Sequence, residues 1–117
     1  MLTLADVLEA LSEMRPVWAR WPISEAVIDS RQATPGSMFV ALPGENVDGH
    51  EYVQHAFEMG AIVAIVQRPL PGLNILDLHA SESNLPIPEV KAPVCILVDD
   101  SLLALQQIAR FWRRQLD

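Results

Sequence analysis

The residues of this 117-residue chain whose types and spacing suit chemistry lie in two short polar loops. The first, Asp29-Ser30-Arg31, follows the apolar pair Val27-Ile28 and precedes a Pro35-Gly36 turn. The second runs from Gly44 through Glu45 and Asn46 to Asp48-Gly49-His50 and opens an amphipathic segment that ends at Gly60. Small polar side chains, one guanidinium and the free backbone N–H groups of a helix start converge well on a phosphate-bearing ligand.

No nucleophile or acid-base set accompanies them. His50, His55 and His79 lie in polar surroundings without metal-ligand spacing, and the single cysteine, Cys95, sits inside the apolar run Val94 to Val98. Neither a zinc site nor a Cys-His pair is supported, and Cys95 reads as an inert strand thiol. Asp99 and Asp100 have the chemistry to hold Mg²⁺, but adjacent carboxylates at a strand-to-helix junction more often cap the helix. Trp18 and Trp21 are able to stack on a base, yet beside a helix end they read better as a lid over the core. Asp48 reads first as an N-cap. His50 is either a contact or ordering group of the ligand loop or surface filler, Arg31 has Asp29 and Asp48 as alternative partners, and His79 is expected to be exposed and without chemistry.

The elements that position these loops follow from periodicity. Thr3-Leu4-Ala5-Asp6 has the form of a capped helix start, and Leu4, Val7, Leu8, Leu11 and Met14 then form one apolar stripe, which Pro16 stops. Val27 and Ile28 enter a first strand whose partner is Met38 to Leu42. A helix buries Val53, Ala56 and Phe57, Gly60 ends it, and Ala61 to Val66 is a third strand. Gln67 to Pro93 holds five of the nine prolines and reads as a long surface excursion, with Asn74 to His79 as a short edge strand. Val94 to Val98 suits a buried parallel strand, and the last helix turns Leu102, Leu105, Ala109, Trp112 and Leu116 inward. The fold expected is α/β: one domain over residues 1–117, a small, mostly parallel sheet flanked by helices.

Composition bounds the partners. A formal charge of −7 and a pI near 4.8 argue against a nucleic-acid duplex or an anionic membrane. They leave a small anion open, because screening confines surface charges to about 8 Å and a local cluster of donors decides. No apolar run approaches the roughly 20 residues that span a bilayer, the first residues lack the basic and small-residue features of a signal peptide, and a lone cysteine suits a reducing compartment. A cytoplasmic protein is the expectation.

The order D-S-R, then P-G-x-x-F-V-A-L-x-G over Pro35 to Gly44, then D-G-H at Asp48 to His50, then Gly60-Ala61 before an apolar strand, resembles the N-terminal domain of the Mur ligases. These are ATP-dependent amide-bond ligases that build the peptidoglycan stem peptide. The Gly44-Glu45-Asn46 loop and the Asp99-Asp100-Ser101-Leu102 helix opening look more like the D-alanyl-D-alanine-adding branch, MurF, than like MurE, which adds the third residue. The likeness is dense from Ile28 to Val66, looser over Leu4 to Met14 and Ile96 to Leu116, and absent from Gln67 to Pro93.

The resemblance implies a substrate domain that grips the UDP end of a UDP-N-acetylmuramoyl-peptide. Ser30 matches the family hydroxyl that reaches the phosphate or ribose, with Asp29 and Arg31 beside it, and Gly44, Glu45, Asn46, Asp48, Gly49 and His50 match the loop that closes over the uridine. It implies ATP and Mg²⁺ for the whole enzyme, bound by a central domain beyond this chain. No Gly-x-x-x-x-Gly-Lys-Ser/Thr loop occurs, and the sole lysine, Lys91, follows Val90. The chain alone is therefore expected to be catalytically inactive, with no catalytic residue, metal or cofactor of its own. A MurE-type domain and a non-catalytic protein-interaction module of the same fold are the alternatives.

Overall fold

Apolar runs of strand length build one sheet in which every pairing is parallel. The computed structural model describes residues 1–78 and 86–116. Among these, β1 (Ala26–Val27), β2 (Met38–Val40), β3 (Val63–Val66), β4 (Ile75–Asp77) and β5 (Val94–Leu97) form a sheet in the order β1-β2-β3-β5-β4. The helices are α1 (Leu4–Ser12), α2 (Val53–Glu58) and α3 (Ser101–Gln115). The expected α/β class and small parallel sheet are what the chain adopts, with β4 as the edge strand anticipated within Asn74 to His79.

The pleat divides the core in two. Met38, Val40, Val63, Ile65, Val94 and Ile96 face α1 and α3, whereas Val27, Phe39, Ala64, Val66, Cys95 and Leu97 face Val53 and Ala56 of α2. Burial on both faces explains why β2, β3 and β5 read as unbroken apolar runs. Cys95 is fully buried, and desolvation pushes its thiol up to about 11, as suits an inert strand thiol.

Several boundaries differ from the sequence reading. Thr3 and Asp6 do form a capping box, but α1 ends at Ser12 because Glu13 turns left-handed (φ 64°), so Met14 lies outside the helix and Pro16 is not what stops it. Ile28 lies outside β1 and is 58% exposed. Helix α3 is rotated by about one residue from the expected stripe. Ser101, Ala104 and Ile108 are its buried residues; of the expected stripe Leu105 packs half-buried on the core and Trp112 is half-buried, while Leu102, Ala109 and Leu116 are exposed. A polar anchor sets that phase: Ser101 Oγ donates to the Ala41 carbonyl at 2.6 Å and lies 2.9 Å from Gln67 Oε1, which also accepts the Ser101 N–H at 2.8 Å.

The tryptophans are the lid foreseen for them. They meet edge to face at 6.1 Å, pack on the α1/α3 side of the core, and Trp18 Nε1 donates to the Ile87 carbonyl. The expectation for His79 lies outside the described residues.

Candidate functional site

Parallel strands send the loops after β1 and β2 to the same edge of the sheet, where such folds hold ligands. After β1, Asp29 caps a 3₁₀ turn (Ser30–Gln32) by accepting the Arg31 N–H at 2.9 Å. The same carboxylate takes the Arg31 guanidinium at 2.7 Å from Nη2 and 3.0 Å from Nε, which holds Asp29 down at about 2. Of the two partners foreseen for Arg31, Asp29 is the one it meets. After β2, Asp48 caps a second 3₁₀ turn (Gly49–Tyr52) that runs directly into α2.

Between these turns opens a cleft of about 780 Å³. Ile28, Phe39, Leu42 and Val47 give it apolar walls, and Asp29, Ser30, Arg31, Gly49, Tyr52 and His55 supply its polar groups and turn. Few polar groups on apolar walls, within the roughly 300 to 1,000 Å³ usual for small-molecule sites, describe a ligand cleft. Ser30 is 5% exposed, and its Oγ lies 3.0 Å from Nδ1 of His55. Gly49 is held by its N–H to the Leu42 carbonyl, and a Cβ there would meet Leu42 N at 2.8 Å, so the turn packs flush against the end of β2.

The structure thus brings Asp29, Ser30, Arg31 and Gly49 together in the cleft wall. Gly44, Glu45 and Asn46 are exposed and lie outside that wall. Asp48 and His50 stand behind it. His50 is 4% exposed, its Nδ1 lies 2.7 Å from Asp48 Oδ1, and its Nε2 accepts the Gln67 N–H at 2.8 Å. Asp48 also accepts the His50 N–H and an Arg68 guanidinium, which together hold its carboxyl far below the usual range. Both do a structural job: Asp48 is the N-cap that was foreseen, and His50 is a buried loop fastener rather than surface filler.

Sequence reasoning missed Tyr52 and His55 as cleft residues. Their signal lay in topology: a helix entered from β2 in a parallel sheet crosses beside the loop leaving β1. Asp100 caps α3 through the Leu103 N–H, and no group of three or more His, Cys, Asp or Glu is placed to hold a metal among the described residues.

A model of the Mur ligase family, described as its catalytic domain, matches residues 22–113. This chain belongs to the Mur ligase family. Over 93 residues it is 32% identical to the "UDP-N-acetylmuramoyl-tripeptide--D-alanyl-D-alanine ligase" of Synechocystis sp., covering 80% of this chain and 17% of that protein. The Bacillus subtilis ligase of the same name is 33% identical over 101 residues, covering 86% and 19%. The crystal structure of MurF from Acinetobacter baumannii superposes with a TM-score of 0.63 at 27% identity, covering 98% of this chain and 22% of that one. The chain spans about a fifth of the length of these Mur ligases. Ligases of the MurF branch that the Gly44-Glu45-Asn46 loop and the Asp99-Asp100-Ser101-Leu102 helix opening suggested are thus among its relatives, and so are those of the alternative branch: the "UDP-N-acetylmuramoyl-L-alanyl-D-glutamate--2,6-diaminopimelate ligase" of Halalkalibacterium halodurans is 29% identical over 110 residues, covering 93% of this chain and 19% of that protein. The residues in hand do not fit the ATP and Mg²⁺ chemistry of a Mur ligase: the one lysine is Lys91 outside any glycine-rich loop, and the described acidic groups form no cation cage.

Proposed function

We propose that this chain is the N-terminal substrate domain of a MurF-like ligase that joins D-alanyl-D-alanine to a UDP-N-acetylmuramoyl-tripeptide, and that its cleft grips the UDP end. The observation that carries this reading is the Ser30 cleft. Leu42, Val47 and Tyr52 offer apolar surface to a flat pyrimidine, and Ser30 and Arg31 offer polar groups to ribose and diphosphate. Arg31 serves there while paired with Asp29, so its charge is oriented and partly neutralised.

The contribution to rate is positional. Tethering the nucleotide end fixes where the peptide end of a long substrate travels, which turns an encounter between a distant carboxylate and its activating phosphate into an intramolecular event. No bond is made or broken by residues of this chain. ATP and Mg²⁺ act in the whole enzyme, in a central domain supplied elsewhere in it.

Calorimetric titration tests the reading. UDP-N-acetylmuramic acid binds saturably, ATP does not compete, and Ser30→Ala weakens the binding at unchanged thermal stability. Saturable ATP binding with no response to the UDP compound contradicts it, and favours a different use of the same fold.

A further inference from the structure

Ser30 Oγ and His55 Nδ1, 3.0 Å apart in the cleft, share one hydrogen bond that runs in either direction. With Nδ1 bare, the imidazole takes the serine proton and Ser30 shows the cleft only lone pairs. With Nδ1 protonated, Ser30 accepts from the ring and its own proton is free to turn toward a ligand. Only the second arrangement lets Ser30 donate to a phosphate oxygen.

The neutral tautomer with its proton on Nδ1 meets that need without added charge, so the demand for a second ring proton comes from the charge of the ligand. The Asp29 carboxylate and the Arg31 guanidinium neutralise each other at 2.7 Å, so the wall as it stands offers a diphosphate no net positive charge. Of the residues lining the cleft, His55 alone is able to gain a positive charge; Tyr52, the remaining titratable group of the wall, gains only a negative one. Asp29 lies close enough to His55 for the two to interact electrostatically, and it stays ionised throughout the imidazole range. On the segment that carries His55, Glu51 stands four residues before it and Glu58 three after, and both suit an imidazolium.

We infer that His55 is a positioning residue that takes up a proton as a diphosphate enters the cleft, turning Ser30 from hydrogen-bond acceptor to donor. The inference rests on the reading that this cleft takes a phosphate-bearing nucleotide. It adds a direction: affinity rises as pH falls. His50 stands behind the wall, its Nδ1 toward Asp48 and its Nε2 accepting the Gln67 N–H, so it does not face the ligand.

The test is calorimetry of this chain with a UDP-sugar, whose doubly esterified diphosphate keeps its charge from pH 8 to pH 6, with uridine as the phosphate-free control. Binding tightens about tenfold over that interval, and titrations in buffers of different ionisation enthalpy report uptake of about half a proton at its midpoint. His55→Gln keeps a hydrogen-bonding partner for Ser30 yet binds with neither pH slope nor proton uptake, Tyr52→Phe keeps the slope, and uridine shows none. UDP-sugar binding without proton uptake overturns the role of His55 and leaves the cleft assignment standing. Absence of UDP-sugar binding at every pH overturns the cleft assignment itself, and the proton inference with it.

Discussion

His50 Nε2 lies 2.8 Å from the backbone nitrogen of Gln67. The N–H must donate, so Nε2 carries the lone pair and the ring proton sits on Nδ1, facing Asp48 Oδ1 at 2.7 Å. One buried ring thereby ties the turn that opens α2 to the chain leaving β3. The adjoining Gln67 side chain ties the same point to the first residue of α3. Replacing His50 with alanine leaves the part-buried Gln67 N–H without its acceptor, at a cost of about 1–3 kcal/mol. Urea denaturation of His50→Ala measures that loss; an unchanged midpoint contradicts the fastening role.

Gly60 adopts φ +112°, and a Cβ there would stand 2.8 Å from Pro35 Cα and 2.9 Å from Pro35 N. Both neighbours are backbone and have nowhere to go. Gly60→Ala therefore loses about 1–3 kcal/mol through strain. Gly72 also has positive φ but open space around it, so Gly72→Ala loses less in the same denaturation series.

Three carboxylates carry the acid response: Asp6, which Arg15 and Thr3 hold low against the upward push of its burial, Asp29 and Asp48. Arg31 holds Asp29 at about 2 against an ordinary 3.8, and Asp48 is lowered further by the His50 N–H and Arg68. Their folded values lie below their unfolded ones, so the stability they contribute is present above the ordinary carboxylate range and is lost as pH falls through it toward about 2. Thermal midpoints taken stepwise from about pH 5 to about pH 2 decline over that interval, and Asp48→Asn flattens the decline.

The phase of α3 has its own test. Ile108 is 3% exposed and Leu102 49%. Ile108→Ala costs about 2–5 kcal/mol, and Leu102→Ala stays within about 0.5 kcal/mol. The reverse ranking restores the inward stripe through Leu102 and refutes the observed rotation.

That rotation shows where sequence patterning stops. The apolar runs at Met38, Val63 and Val94 announced their strands because burial on both faces removes every polar residue. The Thr3 box announced α1, and Asp48 its cap. In α3, however, apolar residues occur on both sides of the helix, and the choice between them fell to a serine: Ser101 buries itself by bonding Ala41 and Gln67, a long-range contact no periodicity records. The site divides the same way. Asp29, Ser30 and Arg31 were legible as a loop motif, whereas His55, dismissed for want of metal-ligand spacing, gains its place only when α2 folds beside the β1 loop and meets Ser30 across twenty-five residues.

A UDP end held in the cleft between the β1 and β2 loops, as proposed, has a residue-level signature. Amide chemical-shift mapping during titration with UDP-N-acetylmuramic acid tests it most directly. Saturable shifts are expected at Ile28 to Arg31, Val47 to Gly49, Tyr52 and His55, with the groove between α1 and α3 at Glu9, Glu13, Arg110 and Arg114 unmoved. Saturable shifts confined to that groove, or none at the Ser30 cleft, would contradict it.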